Sequence, residues 1–185
     1  MDREIVLLAQ RGDRDAFGAL ARIHADRLYA IAHRILRDAA LAEDALQEAM
    51  VDAWRELPSL RDADRCAAWL TRLLVNQCYA ESRRRTRIQA HVRVLPLDVR
   101  ASADDVLSMI DRDQLERGFR RLPPNQRAVL VLHHYVGLEP TELAEVLGIP
   151  PGTARSRLHY AHRAMRAVLE ADDRSTAARL GGTGS

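Results

Sequence analysis

The chain has 185 residues, enough for one medium-sized domain or two small ones. All 28 of its basic residues are arginine, and against 26 acidic residues they leave a formal net charge of only +2. This net charge is too small to indicate nucleic-acid binding by itself. Evidence for such binding has to come from how the charges are distributed along the chain.

The cysteines and the apolar runs exclude further classes. Cys66 and Cys78 are too few and too poorly spaced for a zinc site or a CxxC pair, and we expect both to be reduced and buried. The longest apolar runs, such as Ile5 to Ala9 and Ala128 to Leu132, are far too short for a membrane span. We therefore expect a cytoplasmic protein without membrane insertion.

No catalytic motif is found in the sequence. It contains no Gly-rich phosphate loop, no nucleophile elbow and no HExxH pair. His133 and His134 are adjacent, so they are predicted to lie on different helical faces as packing or surface residues and not as metal ligands. We expect no enzymatic activity, no metal and no cofactor.

The first two predicted helices run from Asp15 to Leu36 and from Leu41 to Leu57, separated near Asp38. The second has apolar doublets four residues apart, which gives a wide packing stripe. Its other side carries polar and acidic residues that DNA would repel, namely Asp44, Gln47, Glu48 and Asp52. This face either binds a basic protein surface or is simply solvated.

A predicted loop, Pro58 to Asp64, leads into a helix from about Arg65 to Arg87. One face of that helix combines rings, cations and an amide at spacings of three and four: Trp69, Arg72, Asn76, Tyr79 and Arg83. Aromatic rings between arginines suit single-stranded nucleic acid. The helix ends in a basic cluster suited to phosphates, Arg83, Arg84, Arg85 and Arg87. Alternatively, Trp69 belongs to the core and Arg72 is an ordinary surface residue.

The stretch from Ile88 to Asp104 lacks helical periodicity and contains Pro96, which indicates a flexible linker. A second helical unit follows, with helices from Asp105 to Leu122 and from Asn125 to Val136. The sequence thus predicts an all-α fold of two small helical domains at 1–87 and 105–171. The linker is 88–104, and 172–185 is expected to be a disordered tail.

A helix-turn-helix is predicted within the second domain. A short helix from Glu139 to Leu147 ends at Gly148, which can adopt the left-handed conformation, and Pro150 and Pro151 start the next helix. That helix has an inward apolar stripe, Ala154, Leu158, Ala161, Met165 and Val168. Its exposed side is rich in hydrogen-bond donors, which suits phosphates and guanine edges. A solvated arginine face is the alternative.

Both units resemble the sigma factors of bacterial RNA polymerase, in the extracytoplasmic-function (ECF) group of the sigma-70 family. The segment RLYAIAHRILRDAALAEDALQEAMVDAWRELP resembles the family's polymerase-docking part, and AAWLTRLLVNQCYAESRRRTR its minus-10 part. The segment RLPPNQRAVLVLHHYVGLEPTELAEVLGIPPGTARSRLHYAHRAMR resembles its minus-35 reader. The two domains would then be a region 2 helical bundle and a region 4 helix-turn-helix.

The resemblance implies a role for each set of residues. Asp44, Gln47, Glu48 and Asp52 would bind the clamp helices of the polymerase largest subunit, and region 4 would meet its flap. Single-stranded minus-10 DNA would contact Ser59, Leu60, Arg61, Asp62, Trp69, Arg72, Asn76, Tyr79, Arg83, Arg84 and Arg85. Duplex minus-35 DNA would contact Thr153, Arg155, Ser156, Arg157, His159, Tyr160 and Arg163. An anti-sigma factor is an expected further partner.

Two other functions are compatible with the sequence. A polymerase-independent helix-turn-helix regulator would bind duplex promoter DNA alone, usually as a dimer. A protein-interaction module, such as an inactive sigma homologue that only sequesters a partner, would share the motifs but tolerate loss of the arginine cluster at 83–87.

Overall fold

The computed structural model describes residues 2–91 and 108–181, with side chains at 3–87 and 115–171. The regular structure of this part of the chain is entirely helical, which confirms the all-α prediction. Its helices are α1 (Asp2–Gln10), α2 (Arg14–Leu36), α3 (Ala39–Glu56), α4 (Cys66–His91), α5 (Ser108–Arg121), α6 (Pro124–Leu130), α7 (Pro140–Leu147) and α8 (Pro151–Gly181). No helix described here is long and apolar enough to cross a membrane.

Two aspartates set the ends of the first helices. Oδ1 of Asp13 accepts hydrogen bonds from the backbone N–H groups of Asp15 and Ala16 at 2.9 and 3.0 Å, so it caps α2. Helix α2 ends where Arg37 adopts a left-handed conformation, with φ of 59°. Oδ1 of Asp38 then accepts from the backbone N–H of Leu41 and caps α3. The predicted interruption at Asp38 is confirmed.

Helices α2, α3 and α4 pack against one another to form the first core. On α3 the buried side chains are alanines, Ala42, Ala45, Ala49 and Ala53, which allow the neighbouring helices to approach closely. Larger side chains on α2 and α4, including Ile31, Ile35 and Leu74, are fully buried against them. Cys66 and Cys78 are free and buried, as predicted.

Helix α1 was not predicted from the sequence. It packs against α2 through Val6 and Ala9, which are both buried. At its end, Nε2 of Gln10 donates hydrogen bonds to the carbonyl oxygens of Leu57 and Leu60 at 3.1 and 2.7 Å. Helix α1 therefore holds the loop between α3 and α4 in place.

The second domain contains the predicted helix-turn-helix, made by α7 and α8. Gly148 ends α7 with φ of 62°, the left-handed conformation expected there. Leu143, Ala154 and Ala161 are fully buried between the two helices. Helix α8 continues past the predicted domain end at Ala171 as far as Gly181, because no residue that breaks a helix occurs before the terminal glycines. Residues 92–107 and 182–185 lie outside the described residues.

The two domains pack together. Helix α4 contacts α6 and α7, and α2 contacts α6. Arg37 pairs with Glu116, and Arg65 pairs with Glu145. The guanidinium carbon of Arg34 lies 3.8 Å from the centroid of the Tyr135 ring, a cation–π contact between the domains.

The first core gives a testable prediction on stability. Ile31 on α2 is 0% exposed, whereas Ile23 on the same helix is 46% exposed. We expect Ile31→Ala to lower the free energy of unfolding by about 2–5 kcal/mol, because it removes buried methyl groups and leaves a cavity. The matched control Ile23→Ala should cost less than about 1 kcal/mol. Urea unfolding followed by circular dichroism measures both, and equal losses would contradict the packing described.

Candidate polymerase and nucleic-acid interfaces

The acidic face of α3 is divided by the fold. Asp44, Gln47 and Glu48 are exposed, as their spacing predicts. Asp52 is half-buried, and its Oδ2 accepts a hydrogen bond from Nε2 of Gln77 at 2.5 Å. Asp52 therefore connects α3 to α4, while the other three side chains are available to a partner.

The loop before α4 is built from short 3₁₀ turns at Leu57–Ser59 and Ala63–Arg65. Oγ of Ser59 donates to the carbonyl oxygen of Glu56 at 2.7 Å, and Oδ1 of Asp62 accepts from the backbone N–H of Asp64 at 3.0 Å. Together with the two hydrogen bonds from Gln10, these local bonds give the loop a defined shape. Sequence reasoning missed Gln10, because a single amide in an unpredicted helix carries no pattern.

Trp69 lies at the boundary between the core and the surface. Its half-buried ring packs against the hydrophobic core and also lines two clefts beside α4. One cleft, of about 190 Å³, includes Leu60 from the loop and Glu145 from α7. The other, of about 300 Å³, includes Asn76. Arg72 is exposed and lines both clefts, so the structure brings these predicted minus-10 residues together.

The second domain partly covers this face of α4. A Cβ atom at Gly148 would lie 3.6 Å from Nη2 of Arg72, which places the turn of the helix-turn-helix against the arginine. Burial raises the pKa of Tyr79 to about 12, and the nearby charge of Arg157 on α8 opposes that rise. The Tyr79 hydroxyl is buried and has no hydrogen-bond partner among the described residues. The predicted minus-10 and minus-35 residues are thus neighbours here.

The arginine cluster at the end of α4 is exposed, as predicted. Nη1 of Arg84 lies 3.4 Å from Oε1 of Glu81, one turn earlier on the helix. Nη1 of Arg85 lies 3.0 Å from Oδ2 of Asp38, at the start of α3. Arg83 is exposed on the same turn. Arg84 and Arg85 therefore have different carboxylate partners, and Arg85 lies at the junction with the second domain.

The start of α8 presents the predicted donor-rich surface. Its first turn includes a hydrogen bond from Oγ of Ser156 to the carbonyl oxygen of Thr153 at 3.0 Å. Tyr160 is 59% exposed, and its ring centroid lies 5.8 Å from that of His159. The predicted minus-35 residues other than the half-buried Thr153 are exposed: Arg155, Ser156, Arg157, His159, Tyr160 and Arg163. No residue from 152 to 169 is acidic, so nothing on this surface repels phosphate.

Three histidines cluster where residues 131–135 meet the recognition helix α8. Residues 131–135 form a π-helical turn, and the rings of His133 and His134 are 4.7 Å apart in spite of the predicted separation on two faces. Nε2 of His134 lies 2.8 Å from Nε2 of His162 on α8, and Nδ1 of His133 lies 2.8 Å from the carbonyl oxygen of Leu138. No group of three His, Cys, Asp or Glu side chains suited to a metal ion occurs in the described part of the chain.

An acidic face, an aromatic–arginine face and a helix-turn-helix in one all-α chain define a class of DNA-binding proteins that also engage a protein partner. The Sigma-70 region 2 family model matches residues 20–88, and the Sigma-70, region 4 model matches residues 112–167. The chain belongs to the ECF group of the sigma-70 family of RNA polymerase sigma factors.

Relatives of this family match almost the whole chain. It is 33% identical to the ECF RNA polymerase sigma factor SigM of Mycobacterium tuberculosis over 168 residues, 91% of this chain and 84% of SigM. It is 27% identical to the ECF sigma factor SigW of Bacillus subtilis over 181 residues, 91% of this chain and 97% of SigW.

Solved structures show the same fold. CnrH, solved in complex with the cytosolic domain of CnrY, is 28% identical, has a TM-score of 0.63 and covers 92% of this chain and 98% of its own. The sigma factor RpoE from Bartonella quintana, solved with the anti-sigma factor NepR, is 23% identical with a TM-score of 0.67 over 84% of this chain and 98% of its own.

The histidine pair predicts a pH dependence. Burial, followed by the charges of neighbouring histidines, lowers the pKa of both His134 and His162. The folded chain then binds these protons less readily than the unfolded chain. The contribution of the two neutral histidines to the free energy of unfolding is fully present above a pH of about 6.5, the pKa of histidine in the unfolded chain. It is lost as the pH falls from there through their lowered pKa values in the folded chain.

We therefore expect the midpoint of urea unfolding to fall between pH 7.5 and pH 5.5, and His162→Gln to reduce this fall. His159→Gln, which removes a histidine one turn earlier on α8, should retain most of it. Equal pH dependence in the wild type and His162→Gln would contradict the coupling of the two rings.

Proposed function

We propose that this sigma factor divides its work among three surfaces on separate helices. The exposed acids of α3 bind core RNA polymerase, the loop and α4 capture the minus-10 element, and α8 reads the minus-35 element. The observation that carries this division is the segregation of charge. Asp44 and Glu48 are exposed on α3, an arginine cluster is exposed at the end of α4, and the start of α8 has an arginine surface without acids. No catalytic chemistry is required of the chain, which acts where cytoplasmic polymerase does.

The acidic surface that we propose for polymerase consists of Asp44, Gln47 and Glu48. Side chains of this kind favour a basic protein surface and repel DNA. Asp52, bonded to Gln77, would act indirectly by fixing α3 against α4. The partner surface on polymerase would be the clamp helices of the largest subunit, with region 4 meeting the flap.

The minus-10 surface would take up an extruded base of the non-template strand. The loop would hold the base through Ser59, Leu60, Arg61 and Asp62. Helix α4 would contact the rest of the strand through Trp69, Arg72, Asn76 and Tyr79. Extruding a base costs a few kcal/mol, which stacking and charge contacts can offset. Strand opening would then need no ATP. The defined shape of the loop supports this role, since a preformed pocket loses little entropy on binding.

The minus-35 surface would dock in the major groove. Residues near the start of a recognition helix usually reach base edges, which favours Arg155 and His159 over positions farther along α8. Arg157 and Arg163 would neutralise phosphates and set the position of the helix.

The two domains would have to separate on the promoter. Elements centred near minus 10 and minus 35 are roughly 25 base pairs apart, which is about 85 Å of duplex at about 3.4 Å for each pair. In the structure, Arg157 on α8 is close enough to Tyr79 on α4 to influence its pKa. We therefore infer that polymerase binding opens the domain contact, and that an anti-sigma factor would hold the surfaces covered. The similar sigma factor RpoE was solved in complex with the anti-sigma factor NepR, which supports such a partner.

The proposal is tested by run-off transcription with purified core polymerase and a library of promoters. We expect transcripts that require both this chain and a minus-35 and minus-10 pair. Tight binding to duplex DNA alone without polymerase-dependent initiation would favour a polymerase-independent regulator instead. Binding to polymerase with no initiation on any promoter would indicate a sequestering module.

The acidic surface gives a sharper test. Asp44→Arg or Glu48→Arg should weaken binding to core polymerase at least about tenfold, which corresponds to about 1.4 kcal/mol, because each replaces an attractive charge with a repulsive one. Fluorescence anisotropy of labelled protein measures the affinity. Asp26→Arg makes the same change on an exposed site of α2 and should have little effect. Unchanged affinity in both α3 variants would mean that this face is simply solvated.

The recognition helix gives a separate test. Arg155→Ala should change the ranking of upstream promoter sequences in competitive transcription, because a base contact discriminates by about 1–3 kcal/mol. Arg166→Ala, three turns farther along the helix, should leave the ranking unchanged. A uniform loss over all promoters would instead identify Arg155 as a phosphate contact.

A further inference from the structure

A cavity at the junction of the two domains is lined by an unusual number of cations. It has a volume of about 390 Å³, within the range of small-molecule sites. Four arginines from separate parts of the fold line it. Arg37 lies just after α2, Arg85 on α4, Arg120 on α5 and Arg127 on α6. The hydroxyl groups of Ser82 and Thr86 complete its polar wall. None of the described residues that line the cavity is acidic.

The carboxylates around the cavity balance only part of this charge. Arg37 pairs with Glu116, and Arg85 pairs with Asp38. Among the described residues, no ion pair joins Arg120 or Arg127 to a carboxylate. Two positive charges therefore stay uncompensated at the junction.

Arg127 is the most constrained of the four. Its residue is only 8% exposed, and its Nε atom is buried without a hydrogen-bond partner in the described part of the chain. Burial, and then the nearby charges of Arg37 and Arg85, together lower the pKa of Arg127 to about 10. An uncompensated buried cation is costly, because it has lost its water and gained no counter-charge.

We propose that this cavity, defined by Arg37, Arg85, Arg120 and Arg127, is a binding site for a phosphoryl anion carrying at least two phosphates. Guanidinium groups bind phosphate oxygens in a bidentate manner, and four of them around one cavity match a multivalent anion better than a single carboxylate. The hydroxyl groups of Ser82 and Thr86 would donate to its remaining oxygens. Leu36, Leu41 and Leu122 also line the cavity, so a bound anion would contact apolar as well as polar side chains.

The position of the site between the two domains implies that a bound anion would stabilise their packing. Its arginines belong to both domains, so an anion bound between them draws the domains together. Arg85 is also a proposed minus-10 residue, and an anion would hold it at the junction. The site does not depend on the proposed roles of the DNA and polymerase surfaces, since it is defined by charge and burial alone.

The test is thermal unfolding of the full chain with inorganic pyrophosphate, against sodium chloride of equal ionic strength. At roughly ten times the dissociation constant, pyrophosphate should raise Tm by at least about 3 °C, because it binds only the folded chain. Arg120→Ala should abolish most of this rise. Arg120 is exposed, so this variant is expected to fold. The control variant Arg22→Ala removes an exposed arginine on α2 that does not line the cavity, and it should show the full rise in Tm.

A second variant separates binding from folding. Arg127→Met should lose the pyrophosphate response while keeping or raising Tm in anion-free buffer, because it removes an uncompensated buried charge. Equal shifts in chloride and pyrophosphate, or an unchanged response in Arg120→Ala, would overturn the proposal.

Further arms of the titration identify the source of the anion. ATP and pyrophosphate should act alike if the phosphate chain is what the arginines recognise, and AMP should act more weakly. A response to ATP without any response to pyrophosphate would overturn the assignment to phosphates.

Discussion

Helix α4 is the element on which both domains depend. One side of it, including Leu70, Leu74 and Cys78, is buried in the core of the first domain. Another side contacts α6 and α7 of the second domain, where Arg72 lies beside the turn at Gly148. The same helix carries the proposed minus-10 residues. Packing between the domains would therefore compete with the proposed access of DNA to α4, and polymerase would have to open the closed arrangement.

The segregation of charge explains how a chain of nearly neutral net charge can address two kinds of partner. Carboxylates dominate the exposed side of α3, whereas α8 has no acid over its first turns. Opposite surfaces of this kind steer each partner to its own helix and disfavour the wrong one. Arginine supplies every one of the basic side chains, so each cation can form bidentate contacts with phosphate.

The fold was predictable where local pattern and tertiary packing agree. The break between helices at Asp38, the apolar doublets of α3 and the glycine turn at Gly148 all follow from residue type and spacing. Helix α1 was missed because its nine residues are fixed by contacts with the rest of the domain, chiefly through Val6 and Gln10.

The candidate sites were predictable only in part. Exposure of Asp44, Glu48 and Arg155 follows from helical periodicity, but the contact of Asp52 with Gln77 joins residues that are 25 positions apart. The arginine cavity likewise combines residues from α4, α5, α6 and the end of α2, and no spacing in the sequence indicates it. Contacts of this kind depend on how helices and domains pack, which the pattern of a single helix does not contain.

The central claim is that the domains are closed in the free chain and separate on polymerase. Spin labels at Val51→Cys on α3 and Ala167→Cys on α8 would report the distance between them, since both positions are exposed. Cys66 and Cys78 are buried, and burial raises the pKa of Cys78 to about 12, which protects it from labelling. We predict a single narrow distance distribution in the free chain and a longer mean distance after core polymerase is added. The same distance distribution in both states would contradict the account.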